Sequence, residues 1–137
     1  GDVAAFPLLM YGGDLQRQEH VTNCRLSAFH AVDAITNPDT TGDYDYLPYF
    51  YSRVFNLSWQ FYGTNKGTAV NFGKQSDGSF GCYWVDDGKV VGAFMESGSD
   101  EQNHGIKAVA KVRPDAPEDL EAQGISFALQ IGAEFKT

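Results

Sequence analysis

Two arginines and one tyrosine have the types and the spacing that could bind a small anion. Arg25 and Arg53 can each present paired N–H donors to a planar oxyanion. Tyr51 precedes Arg53 by two positions, so in an extended segment the phenol and the guanidinium point to the same side. A flat, anionic ligand could stack and hydrogen-bond there. The alternative is that Tyr49, Phe50 and Tyr51 are core aromatics beside a surface arginine, and the local pattern alone favours that interpretation.

Arg25 also occupies a position that is unfavourable for a cation. Thr22 is a plausible N-cap for the helix that follows, which places Arg25 in the first turn, where the helix dipole favours anions. A residue in a locally unfavourable position is a candidate functional residue. An exposed arginine that points away from the helix end explains the pattern equally well. His20, just before the helix, is by itself more often structural than a ligand.

The element that must carry Arg25 is a helix. Its apolar stripe recurs at helical spacing and consists of Cys24, Ala28, Ala31, Val32 and Ile35. Asn37-Pro38 ends the helix, and the polar, turn-rich stretch up to Asp45 predicts a linker. Before the helix, residues 1–6 resemble the end of a strand with its turn, and residues 11–14 (Tyr-Gly-Gly-Asp) are a loop signal.

From residue 46 onward the pattern is that of β-structure. Residues 55–61 alternate strictly and predict a strand with one apolar face, formed by Phe55, Leu57, Trp59 and Phe61. Residues 68–72 predict a second strand. Residues 80–85 and 89–95 flank Asp86-Asp87-Gly88, which is a strong hairpin signal. We therefore expect an antiparallel sheet of three or four strands.

Helices are expected after the sheet. Ser99 and Gln102 have the spacing of a capping box, and the apolar stripe behind them predicts a helix to about Val112. Residues 117–120 begin a short last helix that Gly124 can close. Residues 125–131 are apolar and fit either a helix or a strand. The predicted fold class is α+β, with residues 1–37 as one segment, 38–45 as a linker and 46–137 as a domain.

Composition excludes several classes of protein. The chain has 137 residues, 42% of them hydrophobic, which suits a single globular domain with its own core. Its net charge of −8 argues against a nucleic-acid partner. No apolar run is long enough to cross a membrane. The histidines and the two cysteines form no metal-ligand pattern, and two lone thiols favour a reducing, intracellular compartment, with cytoplasm, chloroplast and mitochondrion all compatible.

Several motifs together resemble the C-terminal third of the monodehydroascorbate reductases, a family within the pyridine nucleotide-disulfide oxidoreductase superfamily. The motifs, with Arg25 among them, are residues 1–4 (Gly-Asp-Val-Ala), 19–21 (Glu-His-Val), 45–53 (Asp-Tyr-Leu-Pro-Tyr-Phe-Tyr-Ser-Arg), 57–63 (Leu-Ser-Trp-Gln-Phe-Tyr-Gly) and 86–92 (Asp-Asp-Gly-Lys-Val-Val-Gly). The resemblance covers nearly the whole chain. It implies the tail of an FAD-binding, Rossmann-like domain, followed by a C-terminal α+β interface domain.

The resemblance also implies which residues bind the cofactors, FAD and NADH. Asp2 matches the aspartate that holds the ribityl chain of FAD, and Val21 matches the residue whose backbone approaches the flavin ring. Glu19 and His20 match positions near the nicotinamide of bound NADH. Residues 22–24 (Thr-Asn-Cys) depart from the family's usual polar, often histidine-containing, triplet. We expect this departure to alter nucleotide affinity.

For the substrate, the resemblance implies the monodehydroascorbate radical. Arg25 and Arg53 match two arginines that hold it, and Tyr51 matches the aromatic residue between flavin and substrate, in a catalytic and flavin-binding position. This flat, oxygen-rich radical anion is the kind of ligand that two guanidinium groups and a ring suit. Electrons would pass as hydride from NADH to FAD and then singly to two radicals.

The chain lacks a GxGxxG motif and opens directly on Gly1, so the resemblance implies a C-terminal fragment that is inactive without the remainder of the same flavoprotein chain. One alternative is a non-catalytic fragment that serves as a structural or partner-binding subunit of a larger assembly. A free sugar-binding β module is disfavoured, because the order of the motifs would then be coincidence.

Overall fold

The computed structural model describes residues 1–135 and divides the chain into two compact units, Gly1–Tyr49 and Phe50–Thr137. The last two residues of the domain predicted at 46–137 lie outside the described range. The division falls after the first residue of a strand, Tyr49–Val54. The proposed segment, linker and domain of the intact protein remain a prediction.

The first unit consists of a small hairpin and one long helix. Strands β1 (Ala5–Pro7) and β2 (Leu15–Arg17) pair antiparallel, and a 3₁₀ turn (Leu9–Tyr11) with left-handed Gly12 and Gly13 connects them. This connection confirms the loop signal at residues 11–14. Helix α1 (Val21–Thr36) ends where Asn37-Pro38 predicted. Residues 37–48 form no regular helix or strand.

Two expectations for α1 are wrong. The helix begins at Val21 with His20, not Thr22, in the N-cap position, because the backbone of His20 is extended (φ −137°, ψ 148°). Arg25 is therefore the fifth helical residue and lies beyond the first turn. The argument that a cation is unfavourable near the helix dipole applies to the first turn, so it does not apply to Arg25. The predicted apolar stripe is exposed, and the residue that α1 buries is the polar Asn23.

The second unit is a five-stranded antiparallel sheet with three helices, which confirms the α+β class and corrects the expected three or four strands. Its strands lie in the order β3-β4-β7-β6-β5. They are β3 (Tyr49–Val54), β4 (Leu57–Gly63), β5 (Thr68–Lys74), β6 (Ser79–Asp86) and β7 (Lys89–Glu96). The edge strand β3 raises the number of strands to five, and it comes from the aromatic segment before the predicted alternation.

Two turns of the sheet differ in how well the local sequence predicts them. Asp87 and Gly88 both have positive φ, as a two-residue turn between β6 and β7 requires, so the Asp-Gly prediction is confirmed. Phe55 was predicted as the first strand residue of β4, and that is wrong. It lies in the turn before Leu57, fully exposed and with a left-handed backbone (φ 55°).

The helices of the second unit cover the sheet. Helix α2 (Asp100–Val112) begins at the predicted capping box, with Ser99 Oγ accepting from Gln102 N at 3.2 Å and Gln102 Oε1 accepting from Ser99 N at 2.9 Å. Helix α3 (Leu120–Gln123) is the predicted short helix, and Gly124 ends it. It is not the last one, since residues 125–131 lie in helix α4 (Ile125–Glu134).

The core of the second unit lies between the sheet and the helices. Helix α2 packs on β4 and β7, and α4 packs on α2. The close approach of the two helices needs glycine, because a Cβ on Gly105 would lie 2.7 Å from the Ala128 carbonyl oxygen. The buried residues are Phe72, Tyr83, Val90, Ala93, Met95, Ile106, Val109, Leu120, Phe127 and Ala128. The longest helix of the described chain, α1, has 16 residues, and none of the described helices could span a membrane.

Candidate functional site

Three predicted site residues lie next to one another at the start of α1. Glu19 is exposed, and its Oε1 lies 2.6 Å from Nη2 of Arg17. His20 is half-buried in the N-cap position, with its ring 6.0 Å from the ring of Tyr49 in an edge-on arrangement. Val21 begins the helix and is partly exposed. Two polar side chains and the first turn of a helix are thereby presented side by side.

The first turn of α1 is suited to an electron-rich group. It contains no acidic residue, and within residues 1–135 the side chain of His20 makes no capping hydrogen bond to it. The first N–H groups of a helix lack intrahelical partners, and the helix dipole makes this end positive. A ligand that carries negative charge or lone pairs could accept hydrogen bonds from this turn.

Asp2 and Arg25 are exposed and lie in the same unit as this turn. Asp2 is in a tight turn that the hydrogen bond from Ala4 N to Gly1 O closes at 3.0 Å. The turn packs on α1, because Gly1 N donates to Ser27 Oγ at 3.0 Å and a Cβ on Gly1 would lie 3.1 Å from Cys24 Sγ. Asp2 therefore follows a residue fixed against the helix that carries Arg25.

A buried amide connects the segment before α1 to the irregular segment after it. Asn23 is 1% exposed. Its Nδ2 donates to the Gln18 carbonyl oxygen at 2.8 Å, and its Oδ1 accepts from the Tyr44 hydroxyl at 2.9 Å. In the sequence, Asn23 stands out only as part of an unusual triplet. No local signal marks it as buried, because asparagine is common near the start of a helix.

Tyr44 is the second residue that the sequence analysis missed. Its ring lies 4.8 Å from that of Phe6, 5.1 Å from that of His30 and 6.4 Å from that of Tyr46. Burial is the main cause that raises the pKa of Tyr44 to about 12, with Tyr46 adding to it. The hydroxyl is therefore protonated at neutral pH. The supposed linker is held to the helix through this residue.

In the second unit, Tyr51 and Arg53 lie on strand β3, at one edge of the sheet. Both are exposed, and their spacing of two on an extended strand places them on the same face. Tyr51 is 42% exposed and Phe50 is 49% exposed. The interpretation that the aromatic residues of this segment are core residues is therefore wrong for Phe50 and Tyr51 in the described chain, while Tyr49 is half-buried.

The chain is similar to known proteins in sequence and in structure. A family model described as "Monodehydroascorbate reductase 3-like, C-terminal domain" matches residues 47–128. A monodehydroascorbate reductase from Solanum lycopersicum is 55% identical, over 96% of this chain and 32% of its own length. The peroxisomal monodehydroascorbate reductase 4 from Arabidopsis thaliana is 48% identical, over 99% of this chain and 28% of its own length. The chain thus spans about a third of these relatives.

Solved structures agree on the fold. A ferredoxin reductase from Rhodopseudomonas palustris covers 95% of the chain with a TM-score of 0.76 and 25% identity, and the chain covers 31% of it. Putidaredoxin reductase, in its covalent complex with putidaredoxin, covers 98% of the chain with a TM-score of 0.74 and 18% identity, and the chain covers 33% of it. These identities are low, so the likeness speaks for the architecture.

Proposed function

The chain belongs to the monodehydroascorbate reductase 3-like C-terminal domain family, and from that premise we propose that it is the C-terminal part of an NADH-dependent flavoprotein that reduces the monodehydroascorbate radical to ascorbate. The observation that carries the proposal is the 55% identity to the tomato monodehydroascorbate reductase across 96% of the chain. A match over 96% of the chain extends into both units.

The residues of the first unit suit FAD. The uncapped turn at Val21, free of acidic residues, offers N–H donors to an electron-rich ring edge. Asp2 is exposed and can accept hydrogen bonds from hydroxyl groups such as those of a ribityl chain. When bound, FAD would supply the acceptor for a hydride and the donor for single electrons. The chain's part is to hold and orient it.

Glu19 and His20 are proposed to face the nicotinamide of NADH. Glu19 is exposed and can accept hydrogen bonds, and its carboxylate forms an exposed ion pair with Arg17. The imidazole of His20 is positioned by the helix start and by the ring of Tyr49. Both groups bind and orient the nucleotide, and neither needs to transfer a proton.

Arg25 and Arg53 are proposed to bind the substrate, with Tyr51 between it and the flavin. The chain carries a net charge of −8, so an anionic radical needs local cations to approach. Both arginines are exposed, and each can form a charge-assisted pair of hydrogen bonds. Tyr51 shares a face with Arg53, so one ligand can touch both side chains.

The test is a visible absorption spectrum of the complete protein. We expect flavin bands that NADH bleaches without oxygen and that the monodehydroascorbate radical restores. Bands that NADH bleaches but the radical does not restore would remove the proposed substrate. A complete protein that is purified colourless, and that takes up no added FAD, would remove the enzyme assignment.

A non-catalytic role as a structural or partner-binding subunit is the second candidate. The observation that favours it is the exposed apolar surface of α1, on which Phe29 is 73% and Ile35 is 80% exposed. A colourless protein that stays firmly bound in a larger assembly would support this role. A flavin that turns over with NADH would exclude it.

The proposed location is an intracellular, reducing compartment. Cys24 and Cys82 are both free thiols, and Cys24 is exposed. An exposed free thiol is better preserved where thiols are kept reduced. Fractionation of cells that express the complete protein tests this proposal, and recovery from the extracellular medium would contradict it.

A further inference from the structure

Asn23 is a buried polar side chain that the proposed cofactor and substrate contacts do not use. It is the buried residue of α1, a helix whose apolar side chains are exposed. A leucine would serve better if this position only had to fill space, because a buried amide must have its hydrogen bonds satisfied. The hydrogen bonds themselves therefore indicate the role of the residue.

Both partners fix the orientation of the amide. A backbone carbonyl can only accept, so the group of Asn23 that faces the Gln18 oxygen must be the NH₂ group. The amide oxygen then faces Tyr44, whose hydroxyl must donate. A tyrosine hydroxyl is protonated at neutral pH, and burial, which raises the pKa of Tyr44 to about 12, favours this form further. The three groups form a directional chain from Tyr44 to Gln18.

The Gln18 carbonyl lies in the short connection between β2 and α1 and belongs to neither element. Gln18 follows β2, which ends at Arg17, and precedes α1, which begins at Val21. Glu19 and His20, the residues proposed to face the nucleotide, come directly after it. Fixing the Gln18 carbonyl therefore fixes the start of the segment that presents both side chains.

We propose that Asn23 and Tyr44 are positioning residues, which act through the Gln18 carbonyl to hold Glu19 and His20 for the nucleotide; this inference rests on the proposed function. Neither residue needs to touch the ligand. Tyr44 comes from the irregular segment 37–48, so this segment contributes to nucleotide affinity instead of only connecting two units. The effect is specific to NADH and leaves the reduction of the radical unchanged.

The experiment compares Tyr44→Phe with Tyr83→Phe in the complete flavoprotein. Each change removes one hydroxyl and keeps the ring. Tyr83 lies in the second unit, is fully buried, and donates to the Gly124 carbonyl oxygen at 2.9 Å, so it is a matched control for the loss of one hydrogen bond. Loss of one hydrogen bond that positions a ligand-binding group corresponds to roughly a five-fold change in affinity for the ligand. We expect Tyr44→Phe to raise the KM for NADH by about five-fold, with kcat at saturating NADH nearly unchanged.

Tyr83→Phe should lower the melting temperature by an amount comparable to that of Tyr44→Phe, and it should leave the KM for NADH unchanged.

Asn23→Asp is the second variant. It keeps an acceptor for Tyr44 but turns a carboxylate oxygen toward the Gln18 carbonyl, so it should raise the KM for NADH more than Tyr44→Phe does. In both first-unit variants the rate at which the radical reoxidises the flavin should match that of the unmodified protein.

The possible outcomes separate the inference from the proposed function. An unchanged KM for NADH in Tyr44→Phe, with only the melting temperature lowered, would show a purely structural role and overturn the inference. An equal rise of KM in Tyr83→Phe would do the same, because KM would then follow stability. An unmodified complete protein that does not oxidise NADH removes the proposed function, and the inference with it.

Discussion

The second unit buries a continuous set of apolar side chains, whereas the first unit buries few large hydrophobic side chains and relies also on the buried amide of Asn23 and the ring contacts of Tyr44. In the second unit, Tyr83, Val90, Ile106 and Val109 are completely buried between the sheet and the helices. Within residues 1–49, the large hydrophobic side chains that are buried are Leu8 and Tyr46.

Helix α1 shows the contrast most clearly. Its apolar residues, including Phe29, Val32 and Ile35, are exposed, while Asn23 is buried with two hydrogen bonds. Buried apolar area is the dominant favourable term in folding, so the second unit contains the larger share of the stability of this chain. The first unit presents five of the seven proposed site residues. Buried apolar surface and the proposed ligand contacts are thus concentrated in different parts of the chain.

The largest expected effect compares one side chain from each unit. Ile106→Ala removes a completely buried side chain and should lower the free energy of unfolding by about 2–5 kcal/mol. Phe29→Ala removes a larger side chain that is 73% exposed, and it should change the free energy of unfolding by less than about 0.5 kcal/mol. Urea unfolding of the chain measures both. Equal losses in the two variants would mean that the apolar face of α1 is covered in solution, and the contrast between the units would fail.

The next effect uses one arginine from each unit. Removing a charge-assisted pair of hydrogen bonds costs roughly 1.5–3 kcal/mol, about ten- to a hundred-fold in affinity. Arg25→Ala and Arg53→Ala in the complete protein should each weaken the apparent affinity for the radical by this factor, while flavin reduction by NADH is spared. Lys74→Ala, which removes another exposed cation of the second unit, is the control. Unchanged affinity in both arginine variants would remove them from the site.

The sequence predicted best those features that neighbouring residues determine. The Asp87-Gly88 turn and the Ser99–Gln102 capping box were both found, because their hydrogen bonds and dihedral angles are fixed within a few residues. Residues 125–131 could not be assigned, since a short run of apolar residues has no clear period. Phe55 was misplaced because alternation continues into a turn without any change of residue type.

The errors in the first unit have a different cause. Periodicity shows which residues share a face of α1, but it does not show what covers that face. The contact between Asn23 and Tyr44 joins residues 21 positions apart, so no local pattern contains it. The resemblance implies the proposed ligand contacts of Glu19 and His20. It does not point to Asn23 and Tyr44, the residues proposed to position them.

A smaller effect is expected at Tyr51. The residue is 42% exposed, so loss of the hydroxyl should hardly change the stability of the second unit. If the phenol orients the radical, Tyr51→Phe should slow radical reduction by roughly five-fold, the worth of one hydrogen bond, and leave NADH-dependent flavin reduction intact. Stopped-flow measurements of the two half-reactions separate these steps. If both match the unmodified protein and only the melting temperature moves, Tyr51 is structural.

The smallest effect concerns two exposed ion pairs, one in each unit: Arg17–Glu19 at 2.6 Å and Lys89–Asp115 at 2.8 Å. Lys89 lowers the pKa of the Asp115 carboxyl, first through its hydrogen bond and then through its charge. The lowered pKa means that folding favours the ionised carboxylate. The contribution of this ion pair to stability is therefore present above the unfolded-state pKa of about 3.9. It is lost as the pH falls through the lower pKa of Asp115 in the folded state.

Asp115→Asn should consequently lower the melting temperature slightly at neutral pH, and the difference should disappear in acid. High salt should reduce it as well, because the pair is exposed to solvent. The backbone bonds beside the pair, from Val90 N to the Pro114 oxygen and from Ala116 N to the Gly88 oxygen, are independent of this charge. Melting curves of both proteins across the acidic range measure the difference. A loss that persists at the lowest pH would mean that the introduced amide disturbs these backbone bonds, and the charge of the pair would then have no part in the contrast between the units.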